Sequence, residues 1–267
     1  TNKNNIFRST DVTVALNAYQ SEFIHNRGWN LIGNPYPCYY DTRFMDFSAP
    51  LTVWDMRNKT YKAYSPIDDA YILCPGEAFF VQCPVDKKEI IFDQVGRQID
   101  RSERTISSMP AKLPAAQSAD QRVVINLGLS DGDNMDNTRI VLNEHATMQY
   151  DINMDASKFM SEDANVSQIY TENNGVNYAI NERPIADAKV DLSTQIKVAG
   201  SYTITLQKDV EDYTIYLLDK KLNKQVILSE NSEYTFQASA SDQSQRFQIS
   251  QDPLRRIQRQ RRSSSAR

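Results

Sequence analysis

Apolar residues recur at every second position along much of this chain. Val12, Val14 and Leu16 alternate with polar neighbours across residues 11–19 and predict a half-buried strand. Trp29-Asn-Leu-Ile follows as a short apolar strand, with Trp29 expected in the core beside Leu31. The strand runs into Gly33-Asn-Pro-Tyr-Pro37, where Gly33 is expected to supply unusual backbone freedom. Asn34 is pushed toward an extended conformation by the next residue, and Pro35 and Pro37 fix two φ angles. Residues 51–57 and 61–64 flank a turn at Arg57-Asn-Lys and predict a hairpin with aromatic cross-strand partners. A Pro75-Gly76 turn then precedes a strand at 78–82, and 89–92 is the last strand of this block.

From Arg97 to Gln117 the apolar pattern stops, and residues 109–119 are predicted to be a linker. Beyond it come short alternating segments at 122–129, 138–142, 146–150, 167–171, 176–180, 188–192, 201–207, 213–219, 224–228, 233–238 and 245–249. Their spacing is that of an antiparallel sandwich or barrel. Asp155 is placed to cap one short helical turn over residues 155–160. No repeat recurs at a fixed period. The expected fold is all-β, with two antiparallel β-sandwich (jelly-roll-like) domains in tandem. Their bounds are 1–108 for the first, 109–119 for the linker and 120–250 for the second, with a disordered basic tail at 251–267.

Charge sharpens this picture. The net charge of −4 hides six arginines in the last 14 residues, which leaves the remaining 253 residues at about −10. An acidic body argues against a nucleic-acid-binding fold, because phosphate contacts need clustered Lys and Arg on the folded surface. No apolar run approaches the ~20 residues of a membrane-spanning helix. The polar opening, Thr1 to Arg8, has neither a signal-peptide pattern nor an initiating Met, and predicts a piece of a longer or processed precursor. Cys38, Cys74 and Cys83 form no Cys-x-x-Cys pair, and with only His25 and His145 available a zinc site is not expected. One disulfide with a thiol left over, or three free thiols, both fit the count.

The order Gly28-Trp-Asn-Leu-Ile-Gly-Asn-Pro-Tyr-Pro37, a Trp/Tyr hairpin at 54–64, and Pro75-Gly-Glu-Ala-Phe-Phe-Val-Gln82 resembles the C-terminal region of large secreted and surface proteins of Bacteroidetes. The second block is similar to the β-sandwich that follows there, at residues 136–151, 155–158, 200–204, 234–236 and 246–247. The resemblance covers roughly residues 5–250. It implies an extracellular or cell-surface, non-catalytic accessory module, structural or adhesive, attached to an upstream domain of the same precursor. Many such proteins end in a secretion-sorting domain, whereas this chain continues after Ile249 into Gln-Asp-Pro and an Arg/Ser tail.

Tyr36, Tyr39, Tyr40, Trp54, Tyr61 and Tyr64, with Asp55 and Asp41 as acceptors, have the composition of a sugar-stacking platform centred on Trp54. Core and cross-strand packing in a small domain accounts for the same set and is the expected use of most of it. Glycans or a host or extracellular surface are the partners this platform implies. Asp131, Asp133 and Asp136 place carboxylates at positions 1, 3 and 6 of a short turn, as a calcium loop does, yet Leu142 stands where the distal Glu of an EF-hand would. An Asp/Asn/Gly hairpin turn reads the same way. For an enzyme acting on polysaccharide, carboxylate pairs such as Asp68 and Asp69, or Glu144 and Asp151, are available, but no spacing singles them out. There is no Gly-x-Ser-x-Gly elbow, and nothing in the sequence orients His25 toward Cys38. With no catalytic signature, the chain is not expected to be an enzyme.

Overall fold

A computed structural model describes residues 10–67, 71–102, 122–186, 189–229 and 232–253. The period-two segments become strands, and no α-helix occurs among the described residues. The strands of the earlier part are β1 (Val12–Ala15), β2 (Trp29–Gly33), β3 (Tyr39–Asp41), β4 (Leu51–Asp55), β5 (Thr60–Tyr64), β6 (Ile72–Leu73), β7 (Ala78–Gln82), β8 (Glu89–Phe92) and β9 (Arg97–Gln98). Then come β10 (Arg122–Ser130), β11 (Met135–Asn143), β12 (Ala156–Ser157), β13 (Gln168–Asn173), β14 (Val176–Pro184) and β15 (Lys189–Gln195). The series ends with β16 (Gly200–Leu206), β17 (Tyr213–Asp219), β18 (Lys224–Leu228), β19 (Glu233–Ala238) and β20 (Phe247–Pro253). The described residues divide into two compact units. One is drawn from Thr1–Asp55, Tyr61–Asp120 and Gln149–Phe159, the other from Met56–Thr60, Gln121–Met148 and Met160–Arg267. The expected linker at 109–119 lies outside the described residues, as does the tail from residue 254 onward; residues 251–253 finish β20.

In the first unit the strands are short and fall into three sheets: β1 with β8, the path β2-β7-β4-β5, and the path β6-β3-β9. One core joins them, built from Ile32, Leu51, Val53, Phe79, Val81, Ile90 and Phe92 together with Tyr36 and Tyr40. Asn34 organises the turn after β2. Its amide donates to the carbonyls of Cys38 and Cys74, both at 2.9 Å, while its side-chain oxygen accepts from the Tyr36 N–H at 3.0 Å. Tyr36 then donates its hydroxyl to the Phe92 carbonyl at 2.9 Å. The backbone freedom expected of Gly33 is not used: it sits in β2 with open space around it and no positive φ. Gly28 is the constrained position instead, with a φ of +59° and a Cβ that would stand 3.1 Å from that of Cys83. Gly76, at φ +75°, follows Pro75 in the tight turn that leads into β7, as its sequence required.

The second unit is one continuous path of strands, β18-β17-β20-β15-β13-β14-β11-β10-β16-β19. Strands remote along that path share one core. Ile125 and Leu127 of β10 cluster with Leu217 of β17, Phe236 of β19 and Phe247 of β20, so the sheet curls round a common interior and nearly closes. Inward positions alternate as expected: Tyr202, Ile204 and Leu206 are buried in β16, and Tyr234, Phe236 and Ala238 in β19. Asn174-Gly175, both at positive φ, make the two-residue turn between β13 and β14. Three expectations are corrected. The pairing is not wholly antiparallel, because β11 and β14 run parallel. Residues 146–150 form no strand. The expected helical turn at 155–160 is extended, because the Asp155 carboxylate accepts the Asp151 N–H at 2.8 Å and so closes the preceding turn rather than opening a helix.

Candidate functional site

Strand register sorts the side chains of the β2-β7-β4-β5 sheet into two faces. Ile32, Phe79, Val81, Leu51 and Val53 point to the core, so Trp29, Leu31, Phe80, Thr52 and Trp54 share the outer face. Tyr61 of β5 joins them, its ring edge-on to Trp54 at 4.8 Å. Phe159, from the Gln149–Phe159 stretch of the same unit, packs onto this face against Trp29 at 4.6 Å, Phe80 at 5.3 Å and Tyr61 at 5.4 Å. The rings meet at 60–77°, a herringbone rather than a flat shelf. Trp54 keeps 43% of its surface exposed and Leu31 keeps 62%. Trp29, placed in the core by its sequence context, is only half-buried: Ile32, not Leu31, is the strand's core residue.

The remaining members of the expected platform lie elsewhere. Tyr40 has no exposed surface and stacks on Tyr36 at 5.5 Å inside the core, where burial pushes its phenol well above the ordinary range. Tyr64 pairs with Tyr71 at 4.4 Å. Tyr39 is half-buried in β3, and Asp55 is half-buried at the end of β4. Asp41 is fully buried, and Arg43 binds both of its oxygens. The structure therefore brings Trp54 and Tyr61 together and adds Leu31, Phe80 and Phe159, which the sequence reading did not nominate. Phe80 was legible as the outward partner of Phe79 in the alternation of β7. Phe159 was not, because it arrives from far along the chain.

The three aspartates of the expected calcium loop do not converge. Asp131 closes its own turn by accepting from the N–H groups of Asp133 at 3.0 Å and Asn134 at 2.7 Å. Asp136, 1% exposed, points inward. Its two oxygens accept from the Thr60 hydroxyl at 3.0 Å and the Ile169 N–H at 2.8 Å. Gln168 completes that buried group: its amide donates to Thr60 Oγ1 at 3.2 Å, and its oxygen accepts from the Ser161 N–H at 2.7 Å. No set of three or more His, Cys, Asp or Glu side chains suited to a metal occurs among the described residues. Asp68 and Asp69 lie outside the described residues. His25 lies against Phe23 and Tyr150, whereas Cys38 packs on the core of the first unit; all three cysteines are thiols.

A second buried cluster sits in the later unit. Arg246 grips Asp219 through two bonds, at 3.0 and 2.6 Å, and Tyr234 donates to the same carboxylate at 2.9 Å. The guanidinium also lies 4.8 Å from the Phe236 ring centre. Burial opposes ionisation of Asp219, but Arg246 and the Tyr234 hydroxyl outweigh it and hold the carboxyl below its usual range. Burial, with the neighbouring carboxylate, pushes the Tyr234 phenol up to about 12.

Residues 38–250 match the model of a family described as a domain of unknown function, DUF8693. The chain belongs to this family. The DUF8693 match takes in β4–β5 with Trp54 and Tyr61, Phe159, and both buried polar clusters; Trp29 and Leu31 precede it. No curated protein matches the chain. No solved structure matches it either.

Proposed function

We propose that this chain is a non-catalytic accessory module of a secreted or cell-surface bacterial protein, carried beside an upstream domain and adhesive through the outer face of the β2-β7-β4-β5 sheet. The observation that supports this reading most directly is the exposure of Trp54 and Leu31 on a face already lined by Tyr61, Phe80 and Phe159. Large apolar side chains grouped on one face mark a contact surface better than scattered ones do. The Asp219 cluster, which a catalytic reading would recruit, is occupied in holding the fold. The finer architecture that goes with this proposal is two jelly-roll-like sandwiches in tandem, favoured by one core per unit and qualified by the parallel β11–β14 pair. Deleting the segment from its parent protein is expected to reduce surface display or attachment. Unchanged folding, display and attachment would end the proposal.

A second reading makes the same face a carbohydrate-binding site. The exposed Trp54 indole beside the Tyr61 ring favours it: a pyranose needs one apolar face to rest on and nearby hydroxyls or carboxylates at its edge. The herringbone arrangement suits a single sugar ring or chain end rather than a long flat polymer. A glycan array probed with the wild-type chain and with Trp54→Ala tests it, with folding checked by circular dichroism. Binding lost in the variant supports a sugar site; silence of both proteins rejects it.

A further inference from the structure

Thr60, Asp136 and Gln168 form a group in which each partner is all but sealed from water, at 1%, 1% and 0% exposure. All three belong to the second unit. Their connections are directional. The Thr60 hydroxyl donates to an Asp136 oxygen at 3.0 Å, and the other Asp136 oxygen is fixed by the Ile169 N–H at 2.8 Å. The Gln168 carboxamide touches Thr60 Oγ1 through its nitrogen at 3.2 Å. The Ser161 N–H can only donate, and at 2.7 Å it fixes which end of that carboxamide is the oxygen. A hydroxyl is thus held between a carboxylate able to take its proton and an acyl group whose oxygen already has a hydrogen-bond donor. These are the parts acyl transfer requires: nucleophile, general base, electrophile and oxyanion donor.

We propose that Thr60 and Gln168 join in an intramolecular ester formed by the folded chain itself. Asp136 takes the Thr60 proton as Oγ1 adds to Cδ of Gln168. A tilt of the carboxamide plane about the soft Cγ–Cδ torsion turns a face of that carbon toward the hydroxyl, and the hydrogen bond from the Ser161 N–H to Oε1 limits the tilt. Negative charge gathers on the side-chain oxygen, where the Ser161 N–H donates. The C–N bond then breaks, and the nitrogen takes the proton from Asp136 and leaves as ammonia. One C–O bond replaces one C–N bond, no electron is gained or lost, and Asp136 ends as it began. Exclusion of water protects the product from hydrolysis by the same carboxylate. Escape and protonation of ammonia in bulk water draw the exchange forward. The ester would tie Thr60 to Gln168 within the second unit, across 108 positions of sequence and independently of redox conditions.

The test is the intact mass of the purified full chain, followed by proteolysis. The expected result is a mass lower than the sequence mass by one ammonia. Peptides containing Thr60 and Gln168 should be joined, and hydroxylamine should separate them. Succinimide formation at Asn174-Gly175 loses the same mass, so the joined peptides are decisive. Thr60→Val should abolish the link, Thr60→Ser should retain it, and Asp136→Asn should suppress it in a chain whose circular dichroism is unchanged. If Asp136→Asn does not fold, Gln168→Glu removes the ammonia leaving group while preserving shape, and should likewise give no spontaneous link. A wild-type chain that yields no joined Thr60 and Gln168 peptides after prolonged incubation overturns the proposal, as does a Gln168-linked peptide that persists in Thr60→Val.

Discussion

Ten strands of the second unit bond side by side along one path, whereas the short strands of the first are divided among three sheets. The two regions satisfy their backbone groups differently as a result. In the later unit the ladder itself does most of this, with pairs such as β10–β11 running nine residues in unbroken register. In the earlier unit side chains stand in for missing ladder. Asn34 holds two carbonyls, and the Gln82 amide donates to the carbonyls of Ile24, His25 and Arg27 at 2.9–3.2 Å. Glu77 accepts the Cys74 N–H and the Tyr71 hydroxyl, each at 2.6 Å. A fold stitched by side chains depends on a few irreplaceable residues. A fold built on a long sheet spreads the same task over many equivalent bonds and concentrates its risk in buried charge.

The largest expected effect exploits that buried charge. Arg246→Ala leaves Asp219 buried without its partner and should cost about 3–5 kcal/mol in urea unfolding. Both tryptophans, Trp29 and Trp54, belong to the first unit, so circular dichroism should lose midpoint further than Trp fluorescence does. Equal shifts would show the two units unfolding as one, with no difference between them in what buried charge contributes. Asn34→Ala is the counterpart. It orphans two carbonyls and one N–H and should cost about 1–3 kcal/mol, read first in Trp fluorescence. A much smaller loss would mean that the turn finds other partners.

Acid and alkali sharpen the comparison further. The Asp219 carboxyl is held below its ordinary value of about 3.9, so its contribution is present above that pH and is lost as pH falls through the lower folded value. Tyr234 titrates near 12 in the fold against about 10 unfolded; its contribution is complete below about pH 10 and is lost as pH rises through 12. Asp219→Asn should flatten the acid limb of a stability–pH curve relative to its own neutral plateau, and an unchanged acid slope would assign that limb to other carboxylates. The smallest effect is expected from Trp54→Ala, within about 1 kcal/mol, because the ring is packed on one side only. A larger loss would move Trp54 from contact surface to structural core.

Legibility followed the same division. β17, β18 and β19 begin and end where alternation placed them, because one buried face and one wet face leave a period-two trace. β7 was equally plain. The two-residue strands β6 and β9 left no such trace, since so short a segment has no period to show. The parallel pairing of β11 with β14 was hidden too, because strand direction is set by connectivity rather than by composition. At the candidate face the sequence pointed to Trp54 and Tyr61 through the hairpin between them. It also nominated Tyr40, since composition cannot tell an outward tyrosine from one turned into the core. Asp136 illustrates the same limit: its neighbours in sequence suggest a metal loop, but its neighbours in space, Thr60 and Ile169, are both remote in the chain.

The division of the chain bears on how the protein is made. The first unit takes Gln149–Phe159 as well as Thr1–Asp55 and Tyr61–Asp120, and Tyr150, Ser157 and Phe159 contact Gln82, His25 and Trp29 respectively. During synthesis on a ribosome its outer face cannot be finished when residue 120 emerges; it must wait until residue 159 is clear of the exit tunnel. Until then Trp29, Phe80 and Tyr61 are without their Phe159 cover and are open to capture by a chaperone. Gene fusions cut at residues 109–119 would make that interval permanent.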